Sequence, residues 1–196
     1  MVTRVIALGV ALGLTVAGCS DIRRQATDAL DSVASQAAGA PSKDTVERWN
    51  TDELTKALTA INDKIGASPA DYLMFTISGY TSVAVQAIDP KKRENVDEYR
   101  YDGSSVKVRP VDVSRNEPGV VDESSFKSDI VTPAVLTSVL SSAVKDSGVQ
   151  DGTVSVLTIE KFFANEPEPK IQVVVGSPRA SKNVRYTPAG VFIETV

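Results

Sequence analysis

Residues 51–66 read TDELTKALTAINDKIG, and this stretch decides the fold. Leu54, Leu58, Ile61 and Ile65 recur at the spacing of one helix face. Thr51 is a good N-cap, Asp52 and Glu53 stand where the helix dipole favours acids, and Gly66 offers a left-handed stop. A helix with one apolar stripe has to lie on something.

The following residues supply that something. Leu73, Phe75 and Ile77 alternate, as do Val83, Val85 and Ala87 beyond a break at Gly79, the period of half-buried strands. Asp89 to Asn95 is a charged loop. Val96 to Tyr101 predicts a third strand, and Asp102-Gly103 a two-residue hairpin into Val106 and Val108. Pro110 ends that strand or confines it to a sheet edge. Residues 114–128 are polar and read as a connector. Thr132-Pro133 then opens a second helix, Thr as N-cap and Pro at the first helical position, with Leu136, Val139, Leu140 and Val144 as its apolar face and Gly148 as its end. Strands return at Val154 to Phe163, at Ile171, Val173 and Val175, at Val184 to Tyr186, and after a Thr187–Gly190 turn at Val191 to Val196.

Helix followed by strands thus occurs twice, and some residues match. Ala87-Ile88-Asp89-Pro90 has a counterpart in Val175-Gly176-Ser177-Pro178, Asn95-Val96 in Asn183-Val184, and Arg100-Tyr101 in Arg185-Tyr186. The reading is an α+β fold of two tandem helix-plus-antiparallel-sheet units, residues 46–113 and 132–196, joined by a connector at 114–131. The order of elements resembles tandem PepSY-type domains and the duplicated helix-on-sheet architecture of secreted β-lactamase inhibitors. No functional motif of either family is matched.

Ahead of the folded part, Val5 to Ala17 is an apolar run broken only by Gly and Thr15, and Arg4 precedes it. That is too short for a membrane span and suits a signal-peptide core. It ends in Val16-Ala17-Gly18-Cys19, which holds the chain's only cysteine. This tetrapeptide resembles the lipobox of bacterial lipoproteins. The resemblance implies cleavage between Gly18 and Cys19, a signal peptide at 1–18, and acyl chains on Cys19 that hold the chain to the extracytoplasmic face of a membrane. Ser20 after the cysteine implies the outer membrane where a cell has two. Residues 19–45 read as a stalk and linker, with Arg23 and Arg24 placed to meet anionic headgroups at about 1 kcal/mol each.

Composition removes much chemistry. The chain has no histidine, which excludes His triads, His bases and His metal sites. With Cys19 acylated there is no thiol nucleophile, thiolate metal site or disulfide. Loss of Arg4 with the signal leaves 20 basic against 25 acidic residues, without the basic excess that nucleic acid demands. Ser124-x-x-Lys127 and Ser142-x-x-Lys145 fit Ser-x-x-Lys, but the partner motifs Ser-Asp-Asn and Lys-Thr-Gly are missing. Asp97, Glu98, Asp102, Asp122, Glu123, Asp146 and Asp151 read as surface charge without the spacing of a calcium loop. No cofactor or metal site is expected.

The expectation is therefore a lipid-anchored, non-enzymatic module that binds an envelope protein, glycan or lipid. Candidate partner-surface residues are Lys91, Lys92 and Arg93, the densest basic cluster, and Tyr99, Tyr101 and Tyr186 beside the matched turns. An alternative is a carrier of an apolar ligand between helices and sheet. A third is a carboxylate-based glycan hydrolase, which needs two convergent acids.

Overall fold

The computed structural model describes residue 46 and residues 49–79, 82–114, 119–164 and 166–196. The signal segment, Gly18, Cys19, Arg23, Arg24 and the stalk to residue 45 lie outside the described residues. The chain is α+β. Helix α1 (Thr51–Ile65) precedes strands β1 (Asp71–Ser78), β2 (Ser82–Ile88), β3 (Val96–Tyr101) and β4 (Val106–Val111). A short helix α2 (Val120–Glu123), strand β5 (Phe126–Lys127) and a 3₁₀ turn (Ser128–Ile130) occupy the expected connector. Helix α3 (Pro133–Ser147) then leads to β6 (Thr153–Glu160), β7 (Lys170–Ser177), β8 (Ala180–Tyr186) and β9 (Phe192–Thr195).

All nine described strands join one antiparallel sheet of order β4-β3-β2-β1-β6-β7-β8-β9, with β5 paired to β1 at Asp71 and Tyr72. The stretches 46–113 and 132–196 meet along β1 and β6, where Phe75 faces Ile159 and Ile77 faces Leu157. Strands of both stretches enter one buried cluster beneath both long helices.

The helices begin and end for local reasons. The N-cap of α1 is Asn50, whose Oδ1 accepts from Glu53 N at 3.0 Å; the expected cap, Thr51, is already the first helical residue. Thr132 caps α3 as expected, its Oγ1 accepting from Val135 N. Gly66 and Gly148 terminate the helices at φ 77° and 65°, a conformation costly for any residue with a Cβ. At one constant offset Leu54 corresponds to Leu136, Ala57 to Val139, Ile61 to Ala143 and Ile65 to Ser147, and all eight are buried.

The strands carry a feature that alternation conceals. A bulge at Leu73 shifts the register of β1 between Tyr72 and Met74, so the buried residue there is Tyr72 and Leu73 is only half-buried. β6 has its bulge at the corresponding place, Ser155, between Val154 and Val156. The Asp102-Gly103 turn is a four-residue loop, not the expected two-residue hairpin. Asp102 Oδ1 accepts from Ser104 N and Ser105 N, and Tyr101 pairs with Val106. Pro110 sits in β4, an edge strand, where a missing N–H costs no ladder bond.

Of the matched dipeptides, Arg-Tyr occupies equivalent sheet positions: Tyr101 faces Val83, and Tyr186 faces Ile171. Asn-Val does not, because Val96 faces Ile88 at the far end of its hairpin while Val184 faces Val173 in mid-strand. The loop after β2 runs from Asp89 to Asn95, whereas Pro178-Arg179 alone separates β7 from β8.

Candidate functional site

Alternation divides the sheet into two unlike faces. Tyr72, Phe75, Ile77, Val83 and Val85 from one side, and Leu157, Ile159, Ile171, Val173 and Tyr186 from the other, lie under the helices. Their alternates point away from the two long helices; Ile88 and Val96, paired on this second side, are only 2% exposed each, so the face is covered at that end. Register places Lys107, Arg100, Ala84, Thr76, Thr158, Gln172, Arg185 and Glu194 in one line across this second face. The centre of the line is Ala84, Thr76 and Thr158; Lys107 and Arg100 make the β4–β3 flank basic, while on the other flank Arg185 is paired with Glu194. The next line runs from Arg109 through Glu98, Gln86 and Met74 to Glu160 and Lys170.

Each flank is held by its own polar contacts. On β3 and β4, Glu98 accepts from Arg100 Nε and Nη2 at 3.2 and 3.1 Å and from Arg109 Nη2 at 2.8 Å. Burial pushes the Glu98 carboxyl up, but the bonds from Arg109 and Arg100 outweigh it and hold the group below its ordinary range. On β8, Arg185 donates to Glu194 Oε1 at 2.8 Å and lies over the Phe162 ring, 5.2 Å from its centre. In the middle, burial shifts the Glu160 carboxyl upward, and this side chain makes no hydrogen bond or ion pair among the described residues.

Of the residues expected at a partner surface, Lys91 and Lys92 are exposed. Arg93 is committed within the molecule: it donates to Asp71 Oδ2 at 2.8 Å and also bonds Asp122, tying the β2–β3 loop to α2. Asp71 further binds Lys127 at 2.6 Å. The three tyrosines are corrected outright. Tyr99, Tyr101 and Tyr186 belong to the helix-covered core, and the Tyr186 hydroxyl donates to Asp146 at 2.9 Å. Their strand positions put the rings inward, so they offer no surface to a partner.

The other motifs are absorbed by local structure. Ser142 Oγ donates to its own helix at Val139 O, and Lys127 is paired with Asp71. Among the described residues, no group of three carboxylates converges to hold a metal ion, and no helix is long and apolar enough to cross a membrane. Described grooves lie at loops and helix ends. One, about 600 Å³, is lined by Gln150, Asp151 and residues 177–180.

Sequence reasoning missed the Arg100–Glu98–Arg109 group. Glu98 and Arg100 share a face by their two-residue spacing, but Arg109 joins them only through the hairpin register. Comparison with protein-family models, with curated proteins and with solved structures gives no match.

Proposed function

We propose that this chain is a lipid-anchored extracytoplasmic module of the bacterial cell envelope, held by acyl chains on Cys19 and binding a partner through the second face of its sheet. The single observation that carries the binding reading is that face: an eight-strand-wide surface clear of both long helices, crossed by Ala84, Thr76 and Thr158 and basic at its β3–β4 flank through Arg100 and Lys107. The Val16–Cys19 tetrapeptide supports the anchoring. The matched caps and bulges support treating 46–113 and 132–196 as an internal repeat that builds the broad sheet.

Non-enzymatic binding fits the face better than glycan hydrolysis does. Glu98 and Glu160 lie three strands apart, about 14 Å at ordinary strand spacing, beyond the roughly 5–9.5 Å that paired glycosidase acids need. A carrier of an apolar ligand has less support, because continuous buried side chains fill the space between helices and sheet.

Two experiments test the proposal. Cys19→Ala is expected to release the protein from the membrane or leave its signal uncleaved, with the circular dichroism of the folded part unchanged; loss of fold would sink the anchor-plus-module reading. A photocrosslinker at Thr158, in the centre of the second face, is expected to capture an envelope component that one at Thr55, on α1, does not. Identical capture from both positions would remove the face from the proposal.

A further inference from the structure

Two guanidinium groups share one carboxylate at the β3–β4 flank of the second face. The Glu98 side chain is 9% exposed, while those of Arg100 and Arg109 are 44% and 70% exposed. The negative charge therefore lies beneath and the two positive charges lie above it. Arg109 Nε and Nη1 and Arg100 Nη1 make no hydrogen bond among the described residues. Their sheet neighbours Ala84 and Gln86 bring no charge. Lys107, opposite Arg100, adds a cation, although Asp102 draws it at 3.2 Å.

Pinning β4 to β3 does not require this arrangement. One cross-strand pair would serve, and exposed pairs contribute little to stability. Two arginines on one buried acid leave a net positive charge with donors aimed outward. Their side chains are already fixed, so little rotamer freedom is lost when an acid binds them.

We infer that Arg100 and Arg109, positioned by Glu98, are the docking point for carboxylates of an acidic partner protein seated on the second face. This rests on the reading of that face as a binding surface. Breadth favours a protein. Eight strands at about 4.8 Å carry the longer line of side chains across roughly 35 Å, the span of a protein partner rather than of a small molecule. Arginine is also enriched among the residues that dominate such interfaces.

The test uses the full chain in detergent and poly-L-glutamate as the acidic-polypeptide probe, with polyphosphate as a second polyanion. Salt-sensitive binding of polyglutamate is expected, weakened at least tenfold by Arg109→Ala and lost in Arg100→Ala/Arg109→Ala. Lys91→Ala/Lys92→Ala is expected to bind within twofold of the parent. Glu98→Gln separates positioning from bulk charge. It makes the chain more positive, yet it is expected to weaken binding because the guanidiniums lose their tether. Tighter binding by Glu98→Gln, equal loss in the lysine variant, or preference for polyphosphate would overturn the inference. Persistent Thr158 crosslinks with no polyglutamate binding would remove only the acidic partner. Absence of both would remove the face as well.

Discussion

The stretches 46–113 and 132–196 build the same frame with different materials. In the first, α1 buries Leu54, Leu58, Ile61 and Ile65. In the second, α3 buries Leu136 and Val139 but has Ala143 and Ser147 where α1 has the two isoleucines. Their tyrosines differ in a similar way. Tyr72 donates to the neutral Asn62 amide at 2.7 Å, and Tyr186 to the Asp146 carboxyl at 2.9 Å. One stretch fills its helix–sheet gap with aliphatic bulk, while the other uses smaller side chains there and fastens sheet to helix with a charge-assisted bond. Equal positions on α1 and α3 thus do not dictate equal filling, and the fastening tyrosines stand on non-equivalent strands, β1 and β8. Caps and bulges repeat because they set geometry, and fillings vary as long as the volume is filled.

The largest effects should come from the shared core. Leu54→Ala and Leu136→Ala, both fully buried, are each expected to cost about 2–5 kcal/mol, and urea unfolding should stay a single transition for either variant. Two transitions would mean that the stretches fold separately, breaking the comparison at its root. Next come exchanges of filling. Ile61→Ala should leave a cavity worth about 2–5 kcal/mol, whereas the reverse exchange, Ala143→Ile, should overpack its site and cost about 1–3 kcal/mol by denaturant midpoint. A stabilised Ala143→Ile protein would show that α3 has room to spare.

The fastening bonds should differ more modestly. Tyr186→Phe is expected to cost about 1.5–3 kcal/mol and Tyr72→Phe about 0.5–1.5 kcal/mol. Burial first, and then Asp146, push the Tyr186 hydroxyl up to about 12. A folded value above the unfolded one near 10 favours folding below pH 10, and that contribution fades as pH rises toward 12. The parent should therefore lose stability over that window faster than Tyr186→Phe, and parallel curves would refute the assignment.

The smallest effect belongs to the long β2–β3 loop, which the second stretch lacks. Burial raises the Asp71 carboxyl, but bonds from Arg93 and Lys127 outweigh it and leave it below its ordinary value. Its contribution is present above about pH 4 and is lost as pH falls below that. Arg93→Ala should be slightly less stable than the parent at pH 7 and indistinguishable from it near pH 2, measured by thermal melting at each pH.

The frame was legible wherever period and caps coincide. The apolar stripe of α1, the Thr132-Pro133 start of α3 and the two terminal glycines all carry their reasons locally. What escaped depended on register. Nothing in the order Tyr72-Leu73-Met74 announces a bulge, so alternation assigned Leu73 to the core in place of Tyr72. Asp102-Gly103 suggested a tight turn that would set Glu98 opposite Lys107; two further loop residues set it opposite Arg109 instead. The tyrosines escaped for a related reason. A turn nearby suggests exposure, whereas the side of the pleat decides it. The site depends most on such non-local facts, since its residues come from strands far apart in the chain.

β1 is the innermost strand of the sheet's first half, and its two sides are filled at different times. β2 follows it directly, but the opposite side must wait for β5 at Asp71 and Tyr72 and then for β6 along Met74 to Ser78. A chain that emerges N-terminus first holds the β6-facing backbone groups along Met74 to Ser78 unpaired until about eighty further residues have followed. During that interval it can stick to another unfinished copy of itself. The seam joining the two stretches is thus the strand pairing that waits longest for its partner, and the interval before closure is when the protein most needs protection.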